Sequence, residues 1–131
     1  MKTFLLAILL CAITLSTQAQ IQIKIINNTG CDLKVVPACY DPAACVGGPC
    51  GGGIFSPAMS SVPGFKCVCG LPKLPGFTVC YVACPGLCVN MGDPAGPCPA
   101  WPYPGMLPPC PGCDNLPHFI FYNSNGDLVI Q

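Results

Sequence analysis

Apolar and polar residues alternate in two stretches that bracket the chain. Ile21, Ile23 and Ile25 alternate with Gln22 and Lys24, and Cys31, Leu33 and Val35 alternate with Asp32 and Lys34. Successive side chains of a strand point to opposite faces, and Asn27-Asn28-Thr29-Gly30 between the runs is turn chemistry. Residues 20–36 are therefore predicted to be a hairpin with one apolar face, which must pack on something because a lone hairpin is marginal in water. Near the other end, His118, Ile120 and Tyr122 alternate with Phe119 and Phe121, Asn123-Ser124-Asn125-Gly126-Asp127 reads as a turn, and Leu128-Val129-Ile130 follows. This last strand ends the sequence without a tail, and it is expected to be hydrogen-bonded into a sheet beside the first hairpin.

Between these ends the pattern is broken by cysteine, proline and glycine. Residues 37–64, with Pro42, Gly47-Gly48-Pro49 and Gly51-Gly52-Gly53, are predicted to be loops held by bridges at Cys39, Cys45 and Cys50. Pro63-Gly64-Phe65 and Pro75-Gly76-Phe77 each read as a turn leading into a short strand. In the second, Phe77, Val79 and Tyr81 share one face and Cys80, Val82 and Cys84 the other, which predicts a central strand covered on both sides. Residues 67–88 hold five cysteines and are read as the stapled centre. Residues 94–117 carry nine prolines, a density that predicts an extended loop with neither helix nor central strand, tied by Cys98, Cys110 and Cys113.

No window of ten residues from Gln20 onward has helical periodicity. The predicted fold class is all-β, a small disulfide-stapled β-sandwich-like domain with long Pro/Gly-rich loops. Residues 1–19 stand apart. Lys2, the apolar run from Phe4 to Leu15 and Thr17-Gln18-Ala19 have the three parts of a cleaved secretory leader, and the apolar run is shorter than the roughly 20 residues that cross a bilayer. Residues 20–131 are then a single cysteine-rich secreted domain, with no membrane insertion after cleavage.

Composition explains why such a domain needs staples. Twelve of the thirteen cysteines follow the leader: Cys31, Cys39, Cys45, Cys50, Cys67, Cys69, Cys80, Cys84, Cys88, Cys98, Cys110 and Cys113. They make about 11% of residues 20–131, above the level that marks a disulfide scaffold, and their even number suits six bridges whose pairing spacing alone does not give. Pro and Gly supply 17 and 15 residues, a fraction that otherwise belongs to disordered chains. Each bridge stabilises by about 2–4 kcal/mol, mainly by limiting the unfolded chain. With four Lys, five Asp and neither Arg nor Glu after the leader, there is no basic stripe for nucleic acid and no polybasic membrane patch. The pairing of apolar composition with many cysteines is similar to that of hydrophobins, which coat interfaces, but the adjacent cysteine pairs of that family are absent.

Candidate chemistry is sparse. Cys110-Pro111-Gly112-Cys113 has the spacing of thiol oxidoreductases, yet Asp114-Asn115-Leu116-Pro117 discourages the helix that would lower a thiol's pKa. Cys67-x-Cys69 and Cys84-x3-Cys88, alone or with Cys110 and Cys113, resemble pieces of zinc motifs, but secretion favours disulfides, so no metal and no cofactor are expected. The Gly51-Gly52-Gly53 run lacks the Lys-Ser/Thr of a phosphate loop. His118, the one histidine, has no nucleophile-elbow serine around Ser56, Ser60, Ser61 or Ser124, and the five Asp are scattered, so no enzyme is expected.

What remains is recognition. Asn27-Asn28-Thr29 is a glycosylation sequon at a turn where Asn27 would be accessible, although the same residues are simply good turn formers. Trp101, Tyr103 and Met106 sit among prolines and are candidates for an aromatic binding loop; against this, Trp is highly buried on average, and Trp101 could instead cover a thin core. The expected function is a non-enzymatic secreted structural or surface-interaction protein with an extracellular protein or matrix partner. The alternative is a secreted effector, such as a defence protein, toxin or protease inhibitor, on the same scaffold, with the Trp101 region as the one candidate inhibitory loop.

Overall fold

The computed structural model describes residues 20–131; the predicted leader, residues 1–19, lies outside the described residues. Strands follow one another as β1 (Gln20–Asn27), β2 (Leu33–Asp41), β3 (Val46–Pro49), β4 (Ile54–Ser56), β5 (Ser60–Cys67), β6 (Leu74–Tyr81), β7 (Cys88–Met91), β8 (Gly105–Leu107), β9 (His118–Tyr122) and β10 (Leu128–Ile130). No helix occurs among the described residues, and the fold is all-β. One sheet has the order β5-β1-β10-β9-β8; the other has the order β3-β2-β6-β7, with β4 also paired to β2. Apolar side chains from both sheets meet in one core, with Ile25, Ile120 and Leu128 from the first and Val35, Phe77 and Val79 from the second all fully buried.

The hairpin predicted for residues 20–36 does not form. β1 pairs with β5 over its whole length and runs parallel to β10, whereas β2 pairs with β6, β3 and β4. Residues 28–32 are an arch from one sheet to the other, and the apolar pattern of the two strands explains it. In a hairpin, Ile23 and Ile25 would lie beside Leu33 and Val35 on one surface that still needed a cover; across an arch the two sets face each other and cover themselves. The C-terminal hairpin does form, with β9 and β10 in register from Ile120↔Ile130 to Tyr122↔Leu128. Its turn is closed by the Asn123 side chain, which accepts from the N–H groups of Asn125 and Asp127, and by Gly126 at φ +80°, a conformation that favours glycine.

Residues 37–64 are also more regular than predicted. β2 runs on to Asp41 through Pro37, β3 and β4 fall in this segment, and β5 begins in it. Pro37 is tolerated in a central strand because its carbonyl, accepting from Cys50 N–H at 3.0 Å, faces the side where β4 has ended and β3 has not begun. The N–H that proline lacks would have pointed into that same gap. β3 is Val-Gly-Gly-Pro and forms by main-chain pairing with Ala38–Asp41, so no alternation of side chains marks it. β6 is central, as predicted, between β2 and β7. Its Phe77, Val79 and Tyr81 are buried, but the opposite face is covered only near Gly76, beneath Trp101. In residues 94–117 a short strand, β8, survives between Pro104 and Pro108, at the edge where a proline-flanked segment fits.

The twelve cysteines form six bridges: Cys31–Cys113, Cys39–Cys69, Cys45–Cys98, Cys50–Cys67, Cys80–Cys88 and Cys84–Cys110. Cys80–Cys88 spans the paired strands β6 and β7, and the other five fasten loops or strands that the ladders leave free. Cys110 and Cys113 are not joined to each other but to Cys84 and Cys31, which pins the irregular chain before β9 at two points.

Candidate interaction surface

Asn27, the sequon residue, is fully buried at the start of the arch. Its Nδ2 donates to the carbonyls of Cys31 at 2.8 Å, Ser56 at 3.1 Å and Pro57 at 3.0 Å, while its Oδ1 accepts from Thr29 N and Thr29 Oγ1. A glycan on Nδ2 would displace these bonds and fill the core, so the expectation of an accessible acceptor is corrected: the Asn-x-Thr pattern here builds the arch. Thr29 Oγ1 completes the unit by accepting from Cys31 N, and its one proton, directed at Asn27 Oδ1, has Cys31 O at 3.2 Å as the alternative acceptor.

The proposed aromatic loop is corrected in part. Trp101 is 4% exposed and stacks on Tyr40, with ring centroids 5.0 Å apart and planes 9° from parallel. Together with Ala38 it forms a second small core on the outside of the β2–β6 sheet, flanked by Leu74 and the Cys45–Cys98 bridge. Gly47 and Gly76 make room for the indole: a Cβ on Gly47 would lie 2.8 Å from Trp101 Cζ2, and one on Gly76 3.1 Å from Trp101 Cε3. The Tyr40 hydroxyl donates to Gly96 O at 2.6 Å and accepts from Asp93 N at 2.7 Å, tying the loop down beside the rings. Burial, partly offset by the Asp93 N–H, raises the Tyr40 phenol above its ordinary pKa. Tyr103 is half-buried, stacks on Tyr122 at 6.0 Å and accepts from Tyr122 N at 3.2 Å, so it also faces inward.

Met106 alone of the three is on the surface, at 54% exposed. It lies on β8 opposite Phe119 of β9, which is 52% exposed. The register extends this pair into a patch: Phe121 shares the face of Phe119, Val129 lies opposite Phe121, and Ile26 lies opposite Val129. The partners of these residues in the alternation, Ile25, Leu107, Ile120, Leu128 and Ile130, are all buried between the sheets. Ile26, Met106, Phe119, Phe121 and Val129 thus form an uncharged row on the outward face of four adjacent strands, exposed at Met106 and Phe119, half-buried at Phe121 and Ile26, and buried at Val129. Sequence reasoning missed Phe119 and Phe121 because β9 is apolar on both faces; the signal was the burial of its alternate partners, which needs the sheet order to read.

The chemistry-bearing residues are locked into structure. His118 is buried, and its Nε2 lies 3.0 Å from an Asp114 carboxylate oxygen; no hydroxyl bonds to the ring among the described residues. Burial pushes the Asp114 carboxyl up, but the Leu116 N–H and the His118 ring outweigh it and hold the group below the usual carboxylate range. A cleft of about 440 Å³ beside this pair is lined by Asp32, Asp114 and the Cys31–Cys113 bridge. The cysteine spacings that resembled zinc motifs are all divided between bridges: Cys67 joins Cys50, Cys69 joins Cys39, Cys84 joins Cys110 and Cys88 joins Cys80. A sulfur in a disulfide is not the thiolate that ligates zinc. Comparison of the chain with protein-family models, curated proteins and solved structures finds no match in any of the three.

Proposed function

We propose that this is a non-enzymatic, secreted structural or surface-interaction protein, and that the outward face of the β5-β1-β10-β9-β8 sheet is the surface it offers to an extracellular matrix protein. The observation that carries the reading is the exposed cross-strand pair Met106 and Phe119, bordered by the half-buried Phe121, on strands that bridges and ladders hold rigid. A contiguous apolar patch on a small soluble fold marks an interaction site, and a rigid one loses little entropy on binding. Six intramolecular disulfides fit an oxidising compartment, which supports secretion. The absence of charge along the row favours a partner with apolar side chains over a polyanion. Strand addition at the β8 edge is disfavoured, since Pro104 and Pro108 flank it and offer no N–H, so the face rather than the edge is available. The rival effector reading uses the same scaffold; its one named inhibitory loop was the Trp101 region, and with Trp101 buried that branch loses its candidate.

The test uses Met106→Ser/Phe119→Ser expressed in matrix-producing cells. Wild type is expected in the detergent-insoluble matrix fraction, and the double variant, with an unchanged melting temperature, in the medium. Equal partition of the two proteins would overturn the proposal.

A further inference from the structure

Two of the six bridges lie against each other. The Sγ atoms of Cys39, Cys50 and Cys67, which belong to Cys39–Cys69 and Cys50–Cys67, are all within 4.8 Å of one another. The other such cluster among the described residues, Cys31, Cys113 and Asp114, holds a single bridge and a carboxylate. Cys39 and Cys50 line an open cleft of about 530 Å³ together with Gly47, Gly48, Asp41 and Lys73, a size that suits a small molecule. Cys39, Cys50 and Cys69 are half-buried, and the residues around Cys69 are open to solvent, with Val68 56% and Leu71 95% exposed.

We propose that this pair of bridges is a covalent capture site for a low-molecular-weight thiol. The incoming thiolate attacks Cys69 Sγ, a new S–S bond forms there, the Cys39–Cys69 bond breaks, and Cys39 leaves as a thiolate. Cys39 then attacks Cys50 Sγ; the Cys39–Cys50 bond forms, the Cys50–Cys67 bond breaks, and Cys67 leaves as a thiolate that takes a proton from water. One thiol is consumed and one released, so no oxidant or reductant is needed. Elsewhere in the protein a freed cysteine would remain beside the mixed disulfide and expel the captured thiol. Here the neighbouring bridge consumes the freed Cys39, and proximity makes that second step fast relative to attack by free thiol in solution.

The experiment incubates the folded protein with reduced glutathione at pH 8, quenches in acid, alkylates the free thiols, and maps the linkages by peptic digestion and mass spectrometry. The expected product carries glutathione on Cys69, a new Cys39–Cys50 linkage and the alkyl group on Cys67. Its yield should be about tenfold above that of glutathione adducts on Cys50→Ser/Cys67→Ser, in which the freed Cys39 has no second bridge to attack. If that variant does not fold, the wild-type map decides by itself. The proposal is overturned by an alkylated Cys39 with Cys50–Cys67 intact, by adducts spread evenly over six bridges, by no adduct, or by equal yield in the folded double variant.

Discussion

Replacing Asn27 by alanine removes the side chain on which the crossing from one sheet to the other depends. Its amide supplies two N–H donors shared among three carbonyls, two of them buried and that of Pro57 partly so, and its oxygen takes two donors from Thr29. The substitution therefore removes the donors of three carbonyls and the acceptor of the Thr29 N–H, and leaves the Thr29 hydroxyl only its longer contact to Cys31 O. At about 1 kcal/mol net for each such bond, and more where a buried group is left unsatisfied, the loss is about 3–5 kcal/mol. That is a large part of a typical net stability of about 5–15 kcal/mol. For a domain of this size it corresponds to a fall in melting temperature of roughly 12–20 °C. Thermal and guanidinium denaturation without reductant measure it, since the six bridges then remain in both states. Asn27→Asp should be no milder, because it replaces the donor with a charge facing three carbonyl oxygens. A loss below about 0.5 kcal/mol, the range of an ordinary surface substitution, would refute the reasoning. So would a glycan found on Asn27 in folded, secreted protein.

Trp101→Ala should cost about 3–5 kcal/mol in the same assay, as for an emptied aromatic core site, and a change within that of a surface substitution would return Trp101 to the binding candidates. Asp114 has a native carboxyl pKa below its unfolded value, so its contribution is present above about pH 4 and lost as the pH falls through the lowered native value. Asp114→Asn should lower stability at neutral pH and flatten the acid limb of the stability curve; an unchanged limb would contradict this. Burial raises the phenols of Tyr40, Tyr81 and, most strongly, Tyr122, where the charge of Asp93 adds to it. A raised acid pKa gives stability that is present below about pH 10 and lost as the pH rises through the native value. Tyrosinate absorbance in folded protein should therefore lag that of unfolded protein, and Tyr122→Phe should shrink the lag.

How much of this was legible in the chain varies with the kind of signal. The β9–β10 hairpin was readable because its alternation and its Asn-Gly turn are both local. Cysteine count and proline density announced the bridges but not their pairing, which depends on where distant strands lie. The arch at Asn27 was misread as a hairpin turn because the same residues serve both, and only the pairing of β1 with β5 and β10 separates them. β3 was invisible since its glycines contribute main chain and no pattern. Trp101 needed knowledge of the space left by Gly47 and Gly76, residues remote from it in sequence. The Met106–Phe119 pair needed the register of β8 on β9, and β8 lies in a segment whose prolines argue against a central strand and give no pattern for an edge one.

Disulfide mapping is the most direct test of the stapled sandwich. Protein digested in acid without reductant, so that thiols do not exchange, should yield linked peptides for Cys31–Cys113, Cys39–Cys69, Cys45–Cys98, Cys50–Cys67, Cys80–Cys88 and Cys84–Cys110, with no free cysteine among residues 20–131. A Cys110–Cys113 or Cys67–Cys69 link, or a free thiol at any of the twelve positions, would contradict the architecture.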